Sequence, residues 1–267
     1  MEKNGESMKA IILAAGRGTR LKKYTRDLPK GMLDFAGKTL IERQIEGYRE
    51  AGMKKIIVVR GFAAEKIAYP GVTYYTNEDY ASTNMVESLM AAEGEFDDDV
   101  VVSYSDIVFE GRLLEGMLDD PSDFAVAVDT EWKSYWERRY GRVDFDTESL
   151  SIDKEGNIRE LGKEDPPLET IDARYIGLLK FSRQGLWDIK ELLETAKKTV
   201  GDQPWQQSGK PIRQAYMTDL LNAVIESGKK VHAVRFRHGW LEFDTNEDYE
   251  SAMKWKERGE LGELIRL

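Results

Sequence analysis

The sequence predicts an α/β protein built on a doubly wound sheet flanked by helices. Two observations lead there. Short apolar runs alternate with helical spacings through the first half of the chain. The first run, Lys9-Ala10-Ile11-Ile12-Leu13, feeds into a glycine-rich turn, Ala14-Ala15-Gly16-Arg17-Gly18-Thr19-Arg20, and sheets of this class hold ligands beyond their strand ends. A chain of 267 residues with 41% apolar and 33% charged side chains has material for one large domain, or for one domain with an appended lobe.

The elements follow in order. Lys9 to Leu13 reads as a buried strand. Lys38 to Gly52 carries Leu40, Ile41, Ile45 and Tyr48 at helical spacing and stops at a glycine. Lys55 to Val59 and Val72 to Tyr75 are strands. Asn84 to Ala92 reads as a helix with Met85, Leu89 and Met90 on its inner face. Asp99 to Tyr104 and Asp123 to Val128 are strands, and Trp132 to Tyr140 is a helix. Arg142 to Arg159 reads as hairpin-like segments around a Glu155-Gly156-Asn157 turn. Arg174 to Phe181 alternates as a strand does, helices span Arg183 to Thr199 and Arg213 to Ser227, Lys230 to Phe236 is a strand, and Glu247 to Arg258 a helix.

The glycine-rich turn is the most informative stretch. Its backbone N–H groups can face an anion, and Arg17, Arg20 and Lys30 stand where they can neutralise it. Leu21 occupies the third glycine position of the dinucleotide fingerprint, and no Gly-Lys-Ser/Thr follows. A plain connecting turn has no need of three basic residues, so the loop reads as a site for a nucleoside triphosphate.

Leu13-Ala14-Ala15-Gly16-Arg17-Gly18-Thr19-Arg20-Leu21 with Leu28-Pro29-Lys30 resembles the signature of nucleotidyltransferases that make NDP-sugars and CDP-activated head groups. The resemblance implies a Rossmann-like fold with a mixed, mostly parallel central sheet and a small acceptor-binding lobe in the second half. It implies a single domain over residues 8–267, with a nucleotide-binding half, 8–128, and an acceptor-binding half, 129–267. It implies that Leu13, Ala14, Ala15, Gly16, Arg17, Gly18 and Thr19 bind the nucleotide, with Arg17 and Arg20 on its β- and γ-phosphates. Lys30 is implied to hold the acceptor phosphate and the α-phosphate, so that Lys30 and Arg20 act on the reacting groups.

Transfer of a nucleotidyl group joins two polyanions, and a divalent cation with Lys and Arg must offset their charge. A hard cation such as Mg²⁺ takes one or two carboxylates besides phosphate oxygens and water. Asp106, just past the strand that ends at Tyr104, is the first candidate ligand; it would equally cap a following helix. Asp244, in Trp240-Leu241-Glu242-Phe243-Asp244-Thr245, resembles the family's late metal motif and is the second, with a helix cap as its plainer role. Glu242 alternates to the same face as a weaker candidate ligand, and is also a candidate for the acceptor. No general base is needed, because the attacking phosphate is already ionised.

The segment Tyr80-Ala81-Ser82-Thr83-Asn84-Met85-Val86-Glu87-Ser88 resembles that of cytidylyltransferases for phosphocholine-like compounds and phosphonates. Thr83, Asn84 and Ser88 offer the donors and acceptors that separate cytosine from uracil. Ala173-Arg174-Tyr175-Ile176-Gly177-Leu178, Glu160-Leu161-Gly162-Lys163, Asp129-Thr130-Glu131-Trp132 and Tyr216-Met217-Thr218-Asp219 look like segments of CTP-dependent enzymes that activate phosphorylated glutamine for capsule modification. Lys163 and Arg174 are candidate acceptor ligands. Trp132 with Trp136, four residues apart, would make either an aromatic wall for the acceptor or core packing.

The expected reaction is thus transfer of CMP from CTP to a small phosphorylated or phosphonate head group, with Mg²⁺ as cofactor. A sugar-1-phosphate nucleotidyltransferase using UTP or dTTP is the rival, and an inactive nucleotide-binding domain the non-enzyme alternative. Composition narrows the partners. A net charge of −10 repels nucleic acid, and no apolar run suggests a membrane span. The absence of cysteine excludes disulfides and suits a cytoplasmic location. Two histidines are too few for a typical zinc site. The polar residues 1–7 read as a disordered extension, with Met8 as an alternative start, and the later helices offer surfaces for a homo-oligomer.

Overall fold

The computed structural model describes residues 8–267, so the extension expected at residues 1–7 lies outside the described residues. The central sheet has seven strands: β1 (Lys9–Ala14), β2 (Lys55–Arg60), β3 (Thr73–Thr76), β4 (Val100–Tyr104), β5 (Phe124–Asp129), β6 (Arg174–Phe181) and β7 (His232–Phe236). Their order across the sheet is β7-β5-β6-β4-β1-β2-β3, and β6 alone runs against its neighbours. This is the mixed, mostly parallel α/β sheet that the sequence predicts. Strands from both sides of residue 128 share it, since β6 lies between β5 and β4.

Alternation along β1 sets up two layers of core. Ala10, Ile12 and Ala14 face α1 (Leu40–Glu50), α3 (Gly111–Asp119), α4 (Trp132–Tyr140) and α7 (Asn246–Glu257). Ile11 and Leu13 face α2 (Met85–Met90), α5 (Arg183–Val200) and α6 (Met217–Glu226). Helix α1 starts with a capping box, in which Thr39 accepts from the Glu42 N–H and Glu42 reaches back to Thr39. It stops before Gly52, whose φ of +85° suits glycine.

Along α2, Met85, Leu89 and Met90 pack on or against the core as expected, and Val86, fully buried, joins them. Two local expectations change. Helix α6 begins at Met217 rather than Arg213, because Asp219 accepts from the Tyr216 N–H and fixes the start there. The hairpin expected within Arg142 to Arg159 forms from Glu148–Ile152 and Ile158–Glu164, so its second arm lies mostly beyond Arg159. Among the described residues no helix is long and apolar enough to cross a membrane.

Candidate active site

The ends of β1 and β4, and the start of the inverted β6, lie along one edge of the sheet, because β6 is antiparallel to β4. After β1 the chain turns through Gly18, whose φ is +68°. A Cβ there would stand 2.8 Å from the Lys30 Cβ, so the glycine lets the loop lie against the lysine stem. Gly16 differs: a Cβ there would meet no protein atom within 4 Å, and its surroundings do not require glycine.

Asp106 follows β4 in a tightly held turn. Gln44, on the buried face of α1, donates Nε2 to the carbonyls of Tyr104 (2.8 Å) and Ile107 (2.7 Å), on either side of Asp106. Ser103 donates to the Gln44 Oε1 and Tyr48 donates to the Ser103 hydroxyl, which completes a buried network. Asp244 arrives by a separate route. The short strand Trp240–Glu242 pairs antiparallel with Ile107–Phe109, and the Phe243 N–H donates to the Asp106 carbonyl at 3.0 Å. That ladder carries Asp244 to the side of Asp106.

Lys30 joins them. Its ammonium lies 2.5 Å from the Asp106 Oδ2 and also contacts the Asp244 Oδ1, while Arg20 reaches the same Asp244 oxygen at 3.1 Å. Burial opposes the charge on Lys30, but Asp106 and Asp244 outweigh it and raise its pKa. Burial likewise opposes the Asp244 carboxylate, yet Lys30 and Arg20 hold its pKa well below the usual range. The Asp106 Oδ1 is buried with no hydrogen-bond partner. For Glu242, burial and the neighbouring Asp244 push the pKa up to about 7 against the pull of Arg139.

Lys30 and Asp106 line one cavity with Leu13, Ala15, Gly16, Thr83, Asn84 and Ser88. Arg17, Gly18 and Thr19 line the adjoining stretch with Thr25 and Arg26. Ala14 does not line either; it is buried in the core at the end of β1. Asn84 caps α2, its Oδ1 accepting from the Met85 N–H. Asn77 donates to the Thr83 hydroxyl (2.9 Å) and the Ser88 hydroxyl (3.0 Å) from beneath.

The acceptor candidates separate. Arg174 opens β6 at the ligand edge, largely buried, 4.6 Å above the Trp136 ring and 4.0 Å from Glu148. Beside it the Tyr175 hydroxyl donates to Tyr104 at 2.9 Å. Lys163 instead lines a different cavity with Arg159, Gln206 and Asn222 and pairs with Glu160. Trp132 is 2% exposed and packs edge-on against Trp136, so it serves the core rather than an aromatic wall. Arg139, Gln44 and Asn77 were not singled out from the sequence. A polar residue on the buried face of a helix was the available signal for Gln44, while Arg139 has partners more than a hundred residues away.

Fold and site together give an α/β protein with a basic loop at one strand end facing two carboxylates brought from elsewhere in the chain. Residues 10–170 match the MobA-like NTP transferase domain. A CTP:phosphoglutamine cytidylyltransferase of Campylobacter jejuni is 33% identical over 254 residues, covering 91% of this chain and 98% of that protein. A choline-phosphate cytidylyltransferase of Streptococcus pneumoniae is 33% identical over 156 residues, 57% of this chain and 67% of the relative. The solved structure of a CTP:phosphocholine cytidylyltransferase from Streptococcus pneumoniae superposes with a TM-score of 0.70 at 21% identity, covering 93% of this chain and 98% of that one. The chain belongs to the MobA-like NTP transferase family and is a nucleotidyltransferase.

Proposed function

We propose that this enzyme transfers CMP from CTP to a small phosphorylated or phosphonate head group and releases pyrophosphate. The observation that carries the reading is the meeting of Lys30 with Asp106 and Asp244 beside the loop 16–19, with Lys30 and Asp106 lining a cavity that Thr83, Asn84 and Ser88 also line. The relatives that act on phosphoglutamine and phosphocholine support the choice of CTP and of acceptor class.

The donor set fits a hard cation. Two aspartates converge, and the Asp106 Oδ1 is buried without a partner. In this reading Asp106 and Asp244 would hold Mg²⁺, which would supply charge neutralisation to the triphosphate. Arg17, Arg20 and the loop N–H groups hold the leaving β- and γ-phosphates. Lys30 moves from the carboxylates to the α-phosphate and the acceptor phosphate, lowering their repulsion as the phosphate oxygen attacks. Cytosine is read by Thr83, Asn84 and Ser88. Arg174 and Glu242, beside Asp244, receive the far end of the acceptor. A cytoplasmic enzyme would meet CTP directly.

The test is pyrophosphate release from CTP and from UTP with phosphocholine, glutamine phosphate and 2-aminoethylphosphonate as acceptors, with Mg²⁺. Turnover with CTP and one of these acceptors is expected. Glucose 1-phosphate is included as a fourth acceptor, and equal or preferred use of UTP with it overturns the reading.

A further inference from the structure

Arg139 lies outside every motif so far described, yet three carboxylates of one segment converge on it. It sits in the last turn of α4, and its side chain is 1% exposed. Its Nε and Nη2 donate to the two oxygens of Asp248 at 2.7 and 2.8 Å, a bidentate pair. Its Nη1 donates to the Glu242 Oε2 at 2.7 Å, and its Nη2 stands 3.7 Å from the Asp244 Oδ2. The rings of Trp136 and Tyr140 lie against the guanidinium, with centroids at 5.3 and 4.8 Å.

Asp248 carries the constraint onward. Its Oδ2 accepts from the N–H groups of Asp244 (2.9 Å) and Thr245 (2.8 Å). The backbone of Asp244 is therefore held by Asp248, which is held by Arg139, while Arg139 also faces one oxygen of the Asp244 carboxylate. The other oxygen, Oδ1, is left turned to Lys30 and Arg20. An aspartate flanked by Glu242 and Asp248 would otherwise be repelled by both.

We propose that Arg139 is a positioning residue for the transfer site, fixing the Asp244 carboxylate so that its Oδ1 alone faces the cation and phosphates. The proposal rests on the reading of Asp244 as a cation ligand. It differs from a role in stability alone, because it requires the fork of Arg139 and not merely its charge or bulk.

The experiment titrates the full-length protein with Mn²⁺ alone, reading free Mn²⁺ by electron paramagnetic resonance, and measures in parallel the KM for CTP, kcat and the melting temperature. Arg139→Lys keeps the charge and loses the fork. Outer partners of metal ligands typically change affinity about 10–100-fold when replaced, and a weakening of about tenfold is expected, with the KM for CTP at saturating metal unchanged. Should Arg139→Lys fail to fold, Asp248→Asn, which keeps an acceptor for the Asp244 N–H, is expected to weaken Mn²⁺ binding in the same direction. A folded variant at either position with the wild-type Mn²⁺ half-saturation overturns the proposal. Absence of Mn²⁺ binding by the wild-type protein instead overturns the reading of Asp244, and Arg139 with it.

Discussion

At the scale of single residues, the site turns on which cation the two aspartates hold. In the structure it is the ammonium of Lys30. Asp106→Asn removes one charge without changing shape, and kcat is expected to fall by about a hundredfold or more while the melting temperature stays near wild type; unchanged turnover would exclude Asp106 from the reaction. Lys30→Met has a less obvious outcome. Transfer is lost, but Mn²⁺ binds several-fold more tightly without nucleotide, since the competing ammonium is gone; weaker binding would show that Lys30 holds the carboxylates in place rather than competing for them. The two glycines of the loop part company in the same way. Gly18→Ala forces a left-handed residue against the Lys30 stem and is expected to cost about 1–2 kcal/mol in denaturant unfolding, whereas Gly16→Ala leaves stability unchanged.

At the scale of elements, one carboxylate ties down the edge of the sheet away from the site. Glu95, in a short turn of helix before β4, accepts from Lys9, Lys55 and Tyr75. Burial disfavours its charge, but Lys55 and Lys9 outweigh this and lower its pKa. A lowered folded-state pKa means stability that is present above the unfolded value and lost as pH falls through the folded one. Glu95→Gln is therefore expected to destabilise the protein by on the order of 3 kcal/mol at pH 7, with the gap to wild type closing as pH drops below about 4. A pH-independent gap in denaturant melts would refute the charge pairing. Legibility also varied by element. Helix α4 and strand β6 were readable to the residue: α4 carries apolar residues at helical spacing, and β6 is a long apolar run despite a register shift within it. The Ile107–Phe109 and Trp240–Glu242 pair was not, since three residues hold no period and the partner lies far along the chain. Helix α3 was missed altogether: it starts at a glycine with no side-chain cap, so no start signal marked it. Lys30 and Asp244 were singled out by motif and Asp106 by its place past a strand end, but the contact of the lysine with both carboxylates was not legible. Arg139 looked like one more charged residue beside Arg138 until its partners, 103 and 109 residues away, were placed around it.

At the scale of the whole molecule, residues 8–128 and 129–267 share one sheet. Strand β5 finds its neighbours only in β6 and β7, both from the later part of the chain. A fragment ending at residue 128 is expected to show no cooperative thermal transition by circular dichroism, because β5 would be unpaired and the far face of β4 left open. A sharp transition would show that the first half folds alone.

The short ladder between Ile107–Phe109 and Trp240–Glu242 also sets a schedule during synthesis. Asp244 lies 214 residues after Lys30, whereas Asp106 follows it by only 76. At ~5–20 residues per second, the ribosome delivers Asp244 roughly ten to forty seconds after the lysine it will meet. Asp106 arrives about a third of the way through that interval, and the pairing of Lys30 with both carboxylates is completed only at its end. The three-way contact of Lys30 with Asp106 and Asp244 therefore cannot form until the Trp240–Glu242 strand has emerged and paired.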